Sequence, residues 1–163
     1  MKILVTGHKG YIGSHLFKNL VDLDHEVVGI DLKDGDDILH CLPDEQFDYV
    51  FHLAALPRVE YSVQKPSYTL KQNVLVSSVL LEWAKNHGVT RFIFSSSSAV
   101  LGNGDGVPKS PYGLHKKMTE LECKLYSDLY GLDTVTLRYF NVYSEDQQAE
   151  GPYATAIANW MKY

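Results

Sequence analysis

Cysteine is scarce in this sequence. Its 163 residues include two, Cys41 and Cys123, too far apart for a Cys-x-x-Cys pair. That excludes a disulfide scaffold and a zinc knuckle, and free thiols in a reducing, cytoplasmic compartment are expected. Positive charge is also in short supply: 15 Lys and Arg against 20 Asp and Glu leave a net charge of −5. An electrostatic nucleic-acid binder is therefore not expected. No apolar run approaches the ~20 residues of a membrane span. The chain enters a strand pattern at once, without a signal-peptide pattern. The seven histidines form no His-x-x-x-His pair, so no metal site is expected. Internal repeats and low-complexity segments are missing. What remains is a soluble composition, 45% hydrophobic and 21% charged, sized for a single domain over residues 1–163.

The most informative stretch is Lys2 to Gly13. Ile3-Leu4-Val5, closed by Thr6, reads as a buried strand, and an apolar helical pattern begins at Ile12. Between them lie Gly7, Gly10 and Gly13, spaced Gly-x-x-Gly-x-x-Gly. A glycine turn between strand and helix lets backbone approach a ligand closely. The helix start offers free N–H groups and the positive end of its dipole. A pyrophosphate is the expected guest. The next strand, Val27–Ile30, ends in Asp31. An acidic residue there is placed to accept the adenosine ribose hydroxyls and to repel a 2′-phosphate, favouring NAD over NADP. The alternative is a strand-end cap.

Further along, Asp34–Asp37 reads as a turn, with a brief helix around Pro43 to Gln46. Tyr49–Ala55 reads as a strand followed by small residues, and Leu56–Ser67 as a loop broken by Pro57 and Pro66. A long helix from Ser67 or Thr69 to Asn86 is apolar almost all round, with Gly88 as its C-terminal cap. Arg91–Phe94 is the fourth strand; the serines from Ser95 to Ser98 are expected to leave it. A helix beginning at Tyr112 and ending at Gly131 carries Leu114, Met118, Leu121, Leu125 and Leu129 on one side. Thr134–Arg138 is the fifth strand, and Gly151-Pro152 opens a last helical stretch, 153–163. Strands alternating with helices imply an α/β fold, a doubly wound parallel sheet with helices on both faces and its site at the carboxyl ends of the strands.

Tyr112 and Lys116 are four apart at a helix start and share a face. An ammonium beside a phenol lowers its pKa and suits it to general-base work. A hydroxyl from the serine run can bind the same substrate oxygen; the alternative is that the serines satisfy backbone groups in a tight loop.

The glycine spacing, His52-Leu53-Ala54-Ala55, Phe94-Ser95-Ser96-Ser97, Tyr112-x-x-x-Lys116 and Arg138-Tyr139-Phe140-Asn141-Val142-Tyr143 occur in that order. Together they resemble the extended short-chain dehydrogenase/reductase family, the NAD-dependent epimerases and dehydratases of nucleotide sugars, and UDP-glucose 4-epimerase-type members most of all. The resemblance implies a Rossmann-type fold whose C-terminal substrate domain is truncated or absent here. It implies that Gly7, Gly10, Tyr11, Ile12 and Gly13 bind the pyrophosphate, Asp31 the ribose, and Asp37 and Ile38 the adenine. Leu53, Ala54, Ala55 and Ser95 would line the cofactor, with Asn73 in support and Tyr139 near the nicotinamide. Ser97, Tyr112 and Lys116 would be catalytic, Tyr112 and Lys116 also touching NAD, while Ser97 and Asn141 would contact a nucleotide sugar. Epimerisation at C4 is the implied reaction; the alternatives are a non-catalytic NAD module and an NAD(P)-dependent dehydratase or keto-sugar reductase. The helices at 69–86 and 112–130 resemble those that pair in family homodimers. Leu101 stands where the family usually has tyrosine, and Ser144 where it has glycine.

Overall fold

The computed structural model of the chain describes residues 1–144; the helical stretch expected at 153–163 lies outside them. Five parallel strands form one sheet: β1 (Lys2–Thr6), β2 (Glu26–Ile30), β3 (Tyr49–His52), β4 (Arg91–Ser97) and β5 (Asp133–Tyr139), in the order β2-β1-β3-β4-β5. The chain moves from β1 outward to β2, returns to β3, then proceeds to β4 and β5. Right-handed crossovers in opposite directions place helices on opposite faces. β1 is an interior strand, between β2 and β3, and its Ile3, Leu4 and Val5 are all buried, the signature of a strand covered on both sides. The reversal between β1 and β3 creates the crevice in which such sheets bind ligands.

Helix α1 (Tyr11–Asp22) makes the first crossover. The return from β2 is reduced to a 3₁₀ turn (Leu32–Asp34) and α2 (Ile38–Cys41). The short helix thus lies ahead of the Pro43–Gln46 segment where it was expected. Asp37 caps it by accepting the Leu39 N–H, and Ile38 drops into the core. At Leu42 the backbone is already extended, as the residue before a proline prefers.

The stretch 56–67, expected as loop, contains α3 (Val59–Gln64). Pro66 starts α4 (Pro66–Leu70) at its first turn, where its missing N–H costs nothing. A π-helical turn (Lys71–Leu75) joins α4 to α5 (Val76–Asn86), and the junction residues keep helical dihedrals, so the helix is continuous. Gly88, with φ +62°, lies just beyond its end. Leu80, Leu81, Trp83 and Ala84 of α5 pack with Leu4, Val50, Phe92 and Phe94 from the strands.

One further expectation is corrected. Ser95, Ser96 and Ser97 do not leave β4: they pair with Leu137, Arg138 and Tyr139 of β5. A strand's extent is set by its neighbour's backbone donors and acceptors, and Ser96 finds a buried carboxylate for its hydroxyl. In α6 (Pro111–Tyr130), the buried face carries Tyr112, Gly113, His115, Lys116, Thr119, Glu120 and Cys123. Leu114, Leu121, Leu125 and Leu129 are exposed. The leucine periodicity marks the outer face of the helix.

Candidate functional site

The first group of residues surrounds α1. Gly7 has φ +76°, donates its N–H to Ile30 O at 2.8 Å, and accepts the Gly10 N–H at 2.9 Å. A Cβ on Gly7 would lie 2.6 Å from Ala54 N, and one on Gly13 would lie 2.1 Å from Gly7 O. These two glycines let β1, α1 and the segment after β3 close on one another. Gly10 is the N-cap of α1, and no side chain caps that helix; its first turn holds no acidic residue. The start of α1 therefore offers backbone donors and positive dipole to an anion, which fits the pyrophosphate of a dinucleotide. Tyr11 and Ile12 follow in this turn. The Tyr11 phenol turns away to bond Ser144 Oγ at 2.6 Å, bringing the segment after β5 over the glycine turn.

Asp31 ends β2, and the ribose and cap readings converge on it. Its Oδ1 accepts the Lys33 N–H and its Oδ2 the Lys9 N–H, both at 2.9 Å. Two oxygens with two lone pairs each keep room for further donors. Lys9 Nζ pairs with Asp34, and Lys33 Nζ reaches Lys9 O. Leu53, Ala54 and Ala55 follow β3, half-buried, with Leu53 N–H on Thr6 O. Asn73 is buried in the π turn; its amide accepts the Leu56 N–H at 2.7 Å and donates to Leu56 O at 3.1 Å. Asp37 and Ile38 stand somewhat apart from this group, because the Asp37 side chain caps α2 and the Ile38 side chain is core.

The second group lies where β4, β5 and α6 meet. Ser97 ends β4 and accepts the Ala99 N–H at 3.2 Å, and its hydroxyl lies beside the Tyr112 phenol. Tyr112 is 9% exposed and Lys116 4%. Lys116 Nζ donates to Ser95 O at 2.6 Å and lies 6.0 Å from the Tyr112 ring centroid. Burial lowers the ammonium's pKa to about 8. Burial pushes the Tyr112 phenol up, with the neighbouring Ser97 hydroxyl working against it. The expected acidification of Tyr112 by Lys116 is thus not realised in this geometry, where the ammonium is engaged by a carbonyl. Tyr139 ends β5, half-buried, with Ser95 beside its phenol. Asn141 lies exposed in the segment beyond.

Several contributors were not singled out from sequence. Ser62 of α3 is fully buried and accepts the Tyr112 backbone N–H at 3.0 Å, fixing the start of α6. Glu120 takes a bidentate pair from Arg138, both contacts at 2.7 Å, and the Ser96 hydroxyl at 2.7 Å. Burial raises the Glu120 pKa, but Arg138 and Ser96 outweigh it and hold it low. This clamp locks α6 to the ends of β4 and β5. Gly29 leaves space for the His8 ring, which a Cβ would meet at 2.5 Å; a glycine inside a strand pattern was the available signal. Among the described residues, no group of three or more His, Cys, Asp or Glu converges as a metal site.

Comparison with known proteins matches residues 3–162 to the NAD dependent epimerase/dehydratase family. The chain is 33% identical, over 99% of its length, to a UDP-glucose epimerase named YtcB from Bacillus subtilis. Among solved structures it is similar to the UDP-N-acetylglucosamine 4-epimerase of Methanobrevibacter ruminantium M1 in complex with UDP-N-acetylmuramic acid. That similarity has a TM-score of 0.89 and 35% identity, covering 99% of this chain and 61% of the other. It is also similar to the UDP-glucuronic acid 4-epimerase of Bacillus cereus in complex with UDP-glucuronic acid and NAD, with a TM-score of 0.81 and 35% identity, covering 93% and 60%. The chain spans 54% of the length of the Staphylococcus aureus protein CapI and 63% of YtcB.

Proposed function

The chain belongs to the NAD-dependent epimerase/dehydratase family, and from that premise we propose that it forms the cofactor-binding and catalytic portion of a nucleotide-sugar 4-epimerase. The observation that carries this reading is the meeting of Ser97, at the end of β4, with Tyr112, at the start of α6, with Lys116 buried one turn on. It stands in the same fold as the uncapped start of α1.

The residues that would hold NAD are Gly7, Gly10, Tyr11, Ile12 and Gly13 at the pyrophosphate, Asp31 at the ribose, and Leu53, Ala54, Ala55, Ser95 and Tyr139 along its length. Asp37 and Ile38 contribute at the adenine through backbone. Bound there, NAD supplies a reversible acceptor for the hydride leaving C4 of the sugar. Tyr112 takes the proton of the C4 hydroxyl, Ser97 holds the same oxygen, and Asn141 contacts the nucleotide sugar. To act as base Tyr112 starts as the phenolate, and Lys116 offsets that charge until the proton arrives; for this its ammonium exchanges Ser95 O for the phenolate. Re-reduction of the keto group from its opposite face would call for the same proton back, and Tyr112 would restore it to the oxygen. No net oxidation results, as an isomerase requires.

Among the described residues no helix is long and apolar enough to cross a membrane, and Cys41 and Cys123 are both free, consistent with a cytoplasmic protein. The outer leucines of α6, together with exposed Leu70 and Leu75, support a homodimer formed through α4–α5 and α6. The test is to incubate the chain with NAD and a panel of UDP-, GDP- and dTDP-sugars and look for 4-epimers, with calorimetry on NAD and NADP alongside. Tyr112→Phe is expected to reduce turnover by roughly 10²–10⁴-fold with NAD affinity retained. Turnover that survives the substitution would remove Tyr112 as the base.

A further inference from the structure

Five buried polar residues lie beneath the nucleotide crevice and lack an evident place in a hydrophobic core: Thr6, His52, Asn73, Ser77 and Thr119, none more than 2% exposed. They form one connected relay. Thr6 Oγ1 and His52 Nδ1 are 2.7 Å apart, and His52 Nε2 and Ser77 Oγ are 2.7 Å apart. Ser77 Oγ donates to Asn73 O at 2.9 Å, and Thr119 Oγ1 divides its one proton between the same carbonyl at 3.3 Å and His115 O at 3.2 Å.

The direction of every bond follows from the inventory of donors. A hydroxyl has one proton, and Ser77 gives it to the Asn73 carbonyl. Ser77 Oγ must then accept from His52, so the ring carries its hydrogen on Nε2. Nδ1 of that neutral ring is an acceptor, so Thr6 donates to it. The Ala54 N–H points at Thr6 Oγ1 from 3.4 Å, as expected of an oxygen whose proton is used elsewhere.

The ends of the relay are the walls of the crevice. Thr6 precedes Gly7, and Ala54 lies against it. Asn73 holds both backbone groups of Leu56, and its carbonyl is shared with Thr119, one turn along α6 from Lys116. We infer that His52, as its neutral Nε2–H tautomer, is a positioning residue. Through Thr6 and Ser77 it sets the spacing between the glycine turn and the Leu53–Leu56 segment, and so the fit of the dinucleotide. This inference rests on the dinucleotide reading above. An apolar residue would fill the same volume, but would leave that spacing to loose packing. Buried networks satisfied throughout specify one arrangement.

The decisive variant is Thr6→Val/His52→Phe/Ser77→Ala, which removes the polar atoms of all three side chains together, so that none is left unpaired. Its thermal midpoint is expected to stay close to that of the parent chain, while calorimetry shows NAD binding weakened about tenfold or more. A folded triple variant that binds NAD as the parent does would overturn the inference. A parent chain that fails to bind NAD would instead sink the dinucleotide reading. Independently of that variant, long-range ¹H–¹⁵N spectra of the parent at neutral pH should place the His52 proton on Nε2; a proton on Nδ1, or on both nitrogens, overturns the relay.

Discussion

Two helix starts frame the site and are finished in opposite ways. At α1 the N-cap is Gly10, with no capping side chain and no acid in the first turn. At α6 the Ser110 hydroxyl accepts the Gly113 N–H at 3.1 Å, Ser62 takes the Tyr112 N–H at 3.0 Å, and Pro111 removes a third donor. The first helix lends its backbone to a ligand, and open donors are the means. The second lends its side chains: Tyr112 and Lys116 must be held still, so the backbone beneath them is satisfied by protein. Capping is commonly counted as stability alone. Here its presence or omission separates a place that binds from a place that reacts.

The contrast can be broken from either side. The largest effect should come from Gly13→Val. Its Cβ would stand 2.1 Å from Gly7 O, a backbone atom that cannot swing aside. We expect a loss of about 3 kcal/mol of stability, with NAD binding undetectable by calorimetry. Chemical denaturation that matches the parent would mean the loop yields more readily than its packing indicates. Next is Gly10→Asp, which gives α1 the capping carboxylate it lacks. A negative charge at the anion position should weaken NAD binding by about tenfold or more. Unchanged affinity would move the pyrophosphate away from α1.

On the other side, Ser62→Ala leaves the buried Tyr112 N–H without its acceptor. A loss of about 1–2 kcal/mol is expected, with turnover falling more than NAD affinity because α6 alone is disturbed. Equal losses in both would tie α3 to the cofactor as well as to the base. The most distributed effect concerns pH. Burial, with a smaller contribution from the nearby Lys116 charge, depresses His52 to about 3. The unfolded chain takes up a proton near 6.5 that the folded chain refuses until about pH 3. Stability should therefore fall as pH drops from 6.5 toward 3, by up to about 1.4 kcal/mol per unit from this residue. Urea denaturation at pH 6 and pH 4 should show a shallower fall in the triple relay variant.

The α1 start was legible in the sequence because its parts are contiguous: strand, glycines at fixed spacing, helix. Tyr112 and Lys116 were legible for the same reason. Ser62 was not, since its partner lies 50 positions away and its surroundings, with two prolines nearby, read as loop. The serines of β4 were misread because their strand character is supplied by β5. The leucines of α6 could be assigned to one side of the helix, but not to core or surface, because periodicity locates an apolar face without saying what it meets. Glu120 and Arg138 gave no local sign of forming a clamp. What could be read was local; what was missed depends on the pairing of distant segments.

The π turn at Lys71–Leu75 has a consequence for how this chain tolerates change. Each residue of an α-helix advances the side chains by about 100°, and a wider turn resets that phase. Pro66–Leu70 can therefore face α3 while Val76–Asn86 faces α2 and the sheet, both halves also meeting α6. Substitutions on this helix alter one contact at a time. Deleting a single residue between Lys71 and Leu75 would rotate one half against the other and carry Asn73 away from Leu56. Over these five positions the count of residues matters more than their identity, Asn73 excepted, and a gap there is the change this fold can least absorb.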